Sequence, residues 1–355
     1  RLYLDFTYYK TDSRNQILKL ATTAASGYTS QVRNAGHIRN RGYEIQLGAV
    51  PIQTSKGFRW NLDLNYGANS SKVVKLDDEG LITSYQLYSS GIQILASVGE
   101  AYGTLFGTSY VRDANGNVVV DANGLPKIST TNKTLGKFTP DWTGGISNTF
   151  SYRSLSLSFL IDASVGGSIF SNTNKTGKYT GVLANTLSGR DAEHGGLWYY
   201  TDAMGNNVRL PESPSYSVSS DGLYYAQVNG QSTRVYQDGI MVEGVTESGS
   251  KNEEVVSAEK YYHRIYSIAE ANVYDASYVK LREVALSYRL PRLWTQKLHL
   301  QEASVTLTGR NLWTIYKSVP NIDPESALTT GNAQGVEAYS LPTTRSFGVN
   351  LSVKF

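Results

Sequence analysis

The sequence predicts an all-β fold, a transmembrane antiparallel β-barrel with long extracellular loops. Apolar and polar residues alternate along many segments, which places every second side chain on one face of a strand. The connections between these segments are alternately short and long, and aromatic residues collect near the segment ends. Both features are typical of outer-membrane barrels.

About eight strands are predicted from the alternation. The clearest covers residues 58–68, where Leu62 and Leu64 lie on the apolar face and Asn61 and Asp63 on the polar face. A weaker alternation predicts a strand at 142–152. The other predicted strands cover residues 2–8, 43–49, 155–163, 284–290, 303–307 and 347–355.

The connections fall into two sizes. Short turns are predicted at 51–56, 152–154 and 291–299, and long excursions at 13–39, 70–139, 171–276 and 313–343. A soluble β-sandwich also alternates apolar and polar residues, but a compact soluble domain rarely holds structureless loops longer than about 15 residues. Polar faces rich in Ser, Thr, Asn and Gln, and strands of about ten residues, favour the barrel. The short turns and the last strand's end are then periplasmic, and the long loops lie outside the cell.

Composition excludes several classes of protein. The formal charge of +3, from 33 basic and 30 acidic residues, is too balanced to predict a nucleic-acid partner. The absence of cysteine excludes disulfides and thiolate metal sites within the chain. The sequence contains no run of about 18 apolar residues, so no membrane-spanning helix is predicted. The chain begins at Arg1 without a signal peptide, so we expect it to be part of a longer protein.

No catalytic motif and no metal-binding motif is present, and we predict neither catalytic nor metal residues. The segment GRDAEHGGLWYY combines charged, histidine and aromatic residues. It is interpreted either as an ordered outer loop with internal salt bridges or as part of a ligand or partner surface. On the second interpretation the binding residues are Arg190, Asp191, Trp198, Tyr199 and Tyr200.

The sequence Asp-Ala-Asn-Gly occurs at 113–116 and again at 121–124. Asp113, Asn115 and Asn117 resemble the start of a calcium loop, but Gly116 stands at the fourth position and no Glu follows at the twelfth. Two Asn-Gly turns on either side of a strand at 118–120 explain the pattern better. We therefore expect no cofactor and keep calcium on this loop as the weaker alternative.

Several motifs resemble one family. The final segment alternates up to a terminal aromatic residue, similar to the C-terminal signal by which outer-membrane barrels are recognised for assembly; its residues are Phe347, Val349, Leu351, Val353 and Phe355. Together with YYKTDSRNQIL, NAGHIRNRGYEIQL, DASYVKLREVALSYRLP and GRNLWTIYKSVPNIDPES, in that order, it resembles the final third of a SusC/RagA-type TonB-dependent transporter.

The resemblance implies a fold and a function. Residues 1–355 would form the C-terminal portion of a barrel of about 22 strands, with the N-terminal strands, the plug and the TonB-contacting segment absent from this chain. We expect TonB-dependent import of oligosaccharides across the outer membrane of a Gram-negative bacterium, with a SusD-like surface lipoprotein as partner. The alternatives are a peptide importer of the same family and a surface structural or adhesive β protein without transport.

Overall fold

The computed structural model describes residues 2–21, 25, 27–28, 30–297 and 299–355. The chain divides into two compact units. Unit 1 comprises Arg1–Leu105, Gly136–Ile169 and Tyr274–Phe355, and unit 2 comprises Phe106–Leu135 and Phe170–Val273. No helix among the described residues is long and apolar enough to cross a membrane.

The strands are numbered along the chain. Those of the large sheet in unit 1 are β1 (Leu2–Ala21), β2 (Ser30–Gln53), β3 (Phe58–Lys75), β8 (Trp142–Tyr152), β9 (Leu155–Val165), β18 (Tyr278–Arg289), β19 (Glu302–Lys317) and β21 (Ser346–Lys354). The others are β4 (Ser84–Ser89), β5 (Gln93–Ser97), β6 (Tyr102–Gly107), β7 (Lys133–Lys137), β10 (Ser168–Ser171), β11 (Leu197–Thr201), β12 (Asn207–Arg209), β13 (Tyr216–Val218), β14 (Tyr224–Val228), β15 (Gln231–Met241), β16 (Val255–Ser257), β17 (Val273–Asp275) and β20 (Val336–Glu337). The helices are α1 (Asn172–Thr180), α2 (Ala258–Tyr266) and α3 (Arg292–Lys297), with short 3₁₀ turns at Ala184–Thr186 and Ala269–Asn272.

The large sheet has eight strands in the order β1-β2-β3-β8-β9-β18-β19-β21, and all its neighbours are antiparallel. Its strands include all eight predicted segments, which confirms the all-β antiparallel fold. The register places the predicted apolar residues of different strands on one common face. One row across six strands consists of Leu4, Leu47, Leu64, Ile146, Ile161 and Leu281.

One polar side chain interrupts the apolar face. Asn148 pairs with Leu62 and Phe159 in the register and is buried. The indole nitrogen of Trp60 donates a hydrogen bond to its side-chain oxygen at 3.0 Å. Since an unpaired amide in an apolar environment costs free energy, this bond explains how the face accommodates Asn148.

The predicted long connections contain far more regular structure than the sequence indicated. Residues 13–21 and 30–39 were wrongly predicted as part of a loop, because β1 and β2 remain paired from Ser13 and Ile38 to Ala21 and Ser30. Residues 22–24, 26 and 29 of that excursion lie outside the described residues. Residues 70–139 contain the end of β3 and a sheet of order β4-β5-β6-β7. The predicted short turn at 291–299 contains α3. Residues 171–276 contain two helices and the whole of a sheet of order β12-β11-β15-β14-β13, to which β16 adds by pairing with β15.

The register yields a test of which face meets lipid. Replacing Leu62 on the apolar face with Arg should destabilise the barrel by about 2 to 4 kcal/mol, because a guanidinium near the bilayer midplane is costly. Asn61→Arg, one residue away on the polar face, should leave insertion unchanged. Both are measured by refolding into lipid vesicles in increasing urea. Normal insertion of Leu62→Arg together with failure of Asn61→Arg would mean that the faces are assigned the wrong way round.

Candidate functional site

Unit 2 contains a small antiparallel sheet whose hairpins are closed by turn residues of suitable conformation. Asn229 and Gly230, between β14 and β15, both have positive φ, of 52° and 80°. This conformation is that of a two-residue hairpin turn, which Asn-Gly adopts readily. The tight turn fixes the register of β14 on β15, in which Tyr225 faces Arg234.

A cavity of about 590 Å³ lies beside β15. Since alternate residues of a strand share a face, β15 places Arg234, Tyr236 and Asp238 on the same side. The guanidinium of Arg234 lies over the Tyr236 ring, 4.8 Å from its centroid. The cavity is therefore lined along one strand by a cation, an aromatic ring and an anion. Its other lining residues include Arg190, Asp191, Glu193 and Leu223.

Tyr199 supports this wall from the neighbouring strand β11. It pairs with Tyr236 in the register, and the two rings stack with centroids 5.1 Å apart and planes 17° apart. Its hydroxyl donates a hydrogen bond to Asp238 at 3.0 Å. Burial, and then the negative charge of Asp238, raise the pKa of Tyr199 above its ordinary value. The hydroxyl therefore stays protonated and holds the Asp238 carboxylate in place.

Arg190 and Asp191 reach the cavity from the loop before β11. The Arg190 guanidinium donates to the carbonyl oxygen of Gly181 at 2.7 Å and to the Thr186 hydroxyl at 3.1 Å. The Asp191 carboxylate lies 2.7 Å from Nδ1 of His194, and this hydrogen bond keeps the pKa of Asp191 below its usual value. The loop is thus ordered by internal polar contacts, as one of the two interpretations of the sequence required.

Trp198 and Tyr200 do not line the first cavity. They share the opposite face of the sheet, where Trp198 is buried with Ala226 and Val235 and Tyr200 packs against the same cluster. The Trp198 ring also contacts the rings of Tyr216 and Tyr224, at centroid distances of 5.1 and 5.6 Å. Of the residues predicted for binding, the structure therefore brings Arg190 and Asp191 to the cavity and Tyr199 to its wall, and places Trp198 and Tyr200 in the packing core.

A second cavity, of about 520 Å³, shares Arg190 and Asp238 with the first. It lies beside α1 and α2, where the Tyr179 ring stacks on His263 with centroids 4.1 Å apart. Two adjoining cavities give room for an elongated ligand. Charged and aromatic groups on exposed walls can bind such a ligand by ion pairing and ring stacking.

Most of the lining residues were not predicted from the sequence. Arg234, Tyr236 and Asp238 stand at every second position of a segment that could have been recognised as a strand, since β-favouring residues flank it. Tyr179 and His263 lie 84 residues apart in number, and no local pattern connects them. The four histidines lie apart, in β2, the loop before β11, α2 and the turn after α3.

The Asp-Ala-Asn-Gly repeats form turns. One carboxylate oxygen of Asp113 accepts from the backbone N–H of Asn115 and of Asn117, at 2.9 and 2.8 Å, and Asp121 does the same in the second repeat. These bonds support the turn interpretation. Within the part of the chain that the structure describes, no group of three His, Cys, Asp or Glu side chains is arranged to hold a metal ion.

No protein-family model matches the chain. Two proteins of Formosa agariphila match it along its whole length: TonB-dependent receptor P3, 26% identical over 384 residues, and TonB-dependent receptor P26, 24% identical over 383 residues. The chain is therefore similar to TonB-dependent receptors along its whole length. It spans about a third of the length of these receptors, 32% of the first and 33% of the second.

A solved structure described as the RagAB peptide transporter has the same fold. It superimposes with a TM-score of 0.60 at 18% identity, covering 100% of this chain and 33% of that one. The eight-stranded sheet therefore shares its fold with part of that larger structure. In sequence, unit 2 consists of two segments, the first running from β6 to β7 and the second from β10 to β17.

A buried lysine in unit 2 makes stability depend on pH. Lys178 donates to the carbonyl oxygen of Ala271 at 2.8 Å, and burial lowers its pKa from 10.5 to about 8. Above pH 8 the folded protein releases a proton that the unfolded chain keeps, so stability should rise with pH until unfolded tyrosines ionise near 10. Thermal unfolding between pH 7 and 10 should show this rise. Lys178→Met should flatten it, whereas Met at the exposed Lys260 should not; equal profiles in all three proteins would contradict the assignment.

Proposed function

We propose that this chain forms the C-terminal part of the barrel of a TonB-dependent importer in the outer membrane of a Gram-negative bacterium. The single observation that carries the proposal is the eight-stranded sheet with an apolar face that extends across its strands. Such a face suits lipid, and the likeness to TonB-dependent receptors over the whole chain supports transport. The plug and the TonB-contacting segment would belong to the remaining two thirds of a protein of that length.

The long connections, including unit 2, are proposed to lie outside the cell. In outer-membrane barrels the periplasmic turns are short and the outer loops are long. The connections β2–β3 and β8–β9 are short turns, whereas the segments of unit 2 and residues 318–345 belong to connections that leave the strands of the sheet at their opposite ends. An ordered unit within such outer connections would meet a nutrient and a surface lipoprotein of the SusD type. The likeness in fold to the RagAB peptide transporter supports such a partner.

Oligosaccharides are the proposed cargo, and peptides are the second candidate. The Tyr236 ring, which stacks on the buried Tyr199, lines the cavity, and aromatic rings suit the C–H faces of sugars. The charged groups on β15 favour peptides instead. Arg234 and Asp238 stand four residues apart on one face, about 13 Å along the strand, a spacing that fits the carboxylate and amino groups of a short peptide.

The decisive experiment measures uptake by the full-length protein. A strain lacking the gene is complemented with the parent or with variants, and uptake of labelled oligosaccharides and labelled oligopeptides is followed with and without TonB. Uptake should require both the protein and TonB. A surface adhesin without transport would instead leave uptake unchanged when the gene is removed.

Two variants test whether the unit 2 cavity takes part. Arg234→Ala combined with Tyr236→Ala removes the charged and aromatic part of the wall and should weaken ligand binding at least about tenfold, since Arg and Tyr dominate binding surfaces. Lys251→Ala, exposed and outside the cavity, is the control. Surface levels and lipoprotein co-purification are measured in parallel. Unchanged uptake and unchanged co-purification in the double variant would exclude this cavity as the working surface.

A further inference from the structure

Residues 318–345, here called the inner loop, join β19 to β21 and are held against the polar face of the large sheet. The first part of the loop is fixed by apolar packing. Val319 and Ile322 are buried and form a cluster with Ile169, against which Tyr274 and Ala276 pack. The loop is therefore anchored close to the point where it leaves β19.

The later part of the inner loop is fixed by a close approach of backbone to side chains. A Cβ added to Gly335 would lie 2.9 Å from Cβ of Phe138 and 3.0 Å from Cδ1 of Leu105. Only glycine permits this approach without a shift of its neighbours. Val336, the next residue, is fully buried and belongs to β20, which pairs with β10.

Between these two anchors the loop is held by charge. The Lys280 ammonium lies 2.6 and 2.8 Å from the two carboxylate oxygens of Asp323 and 2.6 Å from Glu325. Arg282 binds Glu325 and also forms a two-pronged contact with Asp162, at 2.8 and 3.0 Å. We call Lys280, Arg282, Asp323 and Glu325 the anchoring cluster. The Lys280 side chain is 5% exposed and that of Asp323 is 12% exposed.

A β-bulge lies at one of these cations. Leu281 pairs with Ile161 and Glu283 with Leu160, so Arg282 is an extra residue without a pairing partner in β9. Lys280 and Arg282 flank Leu281, which lies on the apolar face, so alternation places both cations on the polar face, where the two loop carboxylates lie. The extra residue shifts the alternation after Arg282, so that Val284 returns to the apolar face.

The middle of the inner loop is not packed directly against the sheet. A cavity of about 330 Å³ lies between it and the sheet, lined by Ser164 and Tyr278 on the sheet side and by Pro324, Glu325 and Ala327 on the loop side. The paired charges bridge this space, together with the Tyr278 hydroxyl, which donates a hydrogen bond to Glu325 at 2.8 Å.

We propose that the inner loop is a shelf that narrows the passage at the long-connection end of the barrel, and that the anchoring cluster keeps it in the narrow position. Lys280 and Arg282 lie in the first five residues of β18, far from the short-turn end. Loss of the loop's charges leaves the central stretch free to move into the lumen or away from the wall. The part of the proposal that concerns a passage rests on the proposed transport function.

The position of the loop is tested by cysteine labelling of the full-length protein in cells. This chain contains no cysteine, so Ala327→Cys reports on the cavity, and Leu341→Cys, at a residue 89% exposed, reports full access. In the parent, label should reach position 327 slowly. With Asp323→Asn and Glu325→Gln combined, labelling at 327 should be faster by about tenfold or more, because hydrogen bonds to charged groups are lost, while labelling at 341 stays the same.

A matched control removes a different ion pair that also involves β18, the strand of Lys280 and Arg282. Glu302→Gln breaks the contact with Arg289, which is 2.9 Å long and does not involve the inner loop, and should leave labelling at 327 unchanged. If the double variant does not reach the membrane, Glu325→Gln alone, which keeps the Lys280–Asp323 pair, should give a smaller increase. An unchanged rate in the variant that reaches the membrane would overturn the anchoring role.

The width of the passage is measured separately, as sensitivity of the cells to a large hydrophilic antibiotic that the outer membrane excludes. The double variant should be more sensitive than the parent and than Glu302→Gln. Faster labelling without greater sensitivity would overturn the narrowing role. Failure of the transport proposal would appear differently, as absence of TonB-dependent uptake in the parent itself, and labelling at position 327 does not depend on that result.

Discussion

Backbone hydrogen bonding between neighbouring strands is the constraint on which the rest of the structure depends. Within lipid each N–H and C=O group must be paired inside the protein, and a slip of one residue would move every side chain of a strand to the other face. The register in which Leu62 faces Asn148 and Leu64 faces Ile146 satisfies both conditions at once. The polar face against which the inner loop packs exists because this register is kept across all eight strands.

The same constraint explains what the sequence could predict. Alternation is a local property, and in the wall each strand needs it regardless of its neighbours, so all eight strands were identified from short segments. The order of the strands follows with little ambiguity, because consecutive antiparallel strands of a barrel are usually neighbours. The prediction failed where alternation ends although pairing continues, as in the outer part of the β1–β2 hairpin, whose pairs include Ile17 with Asn34 and Leu18 with Arg33.

The candidate site was predictable only in part. The loop with Arg190 and Asp191 was predicted as a candidate because charged and aromatic residues are adjacent in the sequence. Alternation in β11, however, places Trp198 and Tyr200 on the face opposite to Tyr199. The opposite wall comes from β15, and the second cavity from α1 and α2. Contacts between segments so far apart depend on how unit 2 packs, which no periodic pattern in one segment records.

The bulge at Arg282 divides β18 into two halves with different phase. Before it the apolar face holds the odd-numbered Leu281, and after it the even-numbered Val284 and Leu286. A strand with such a phase change can lose or gain one residue at the bulge without moving the side chains of residues 283–289 to the opposite face of the sheet. Changes of chain length during evolution would therefore be absorbed beside the anchoring cluster, leaving residues 283–289 of the strand in register.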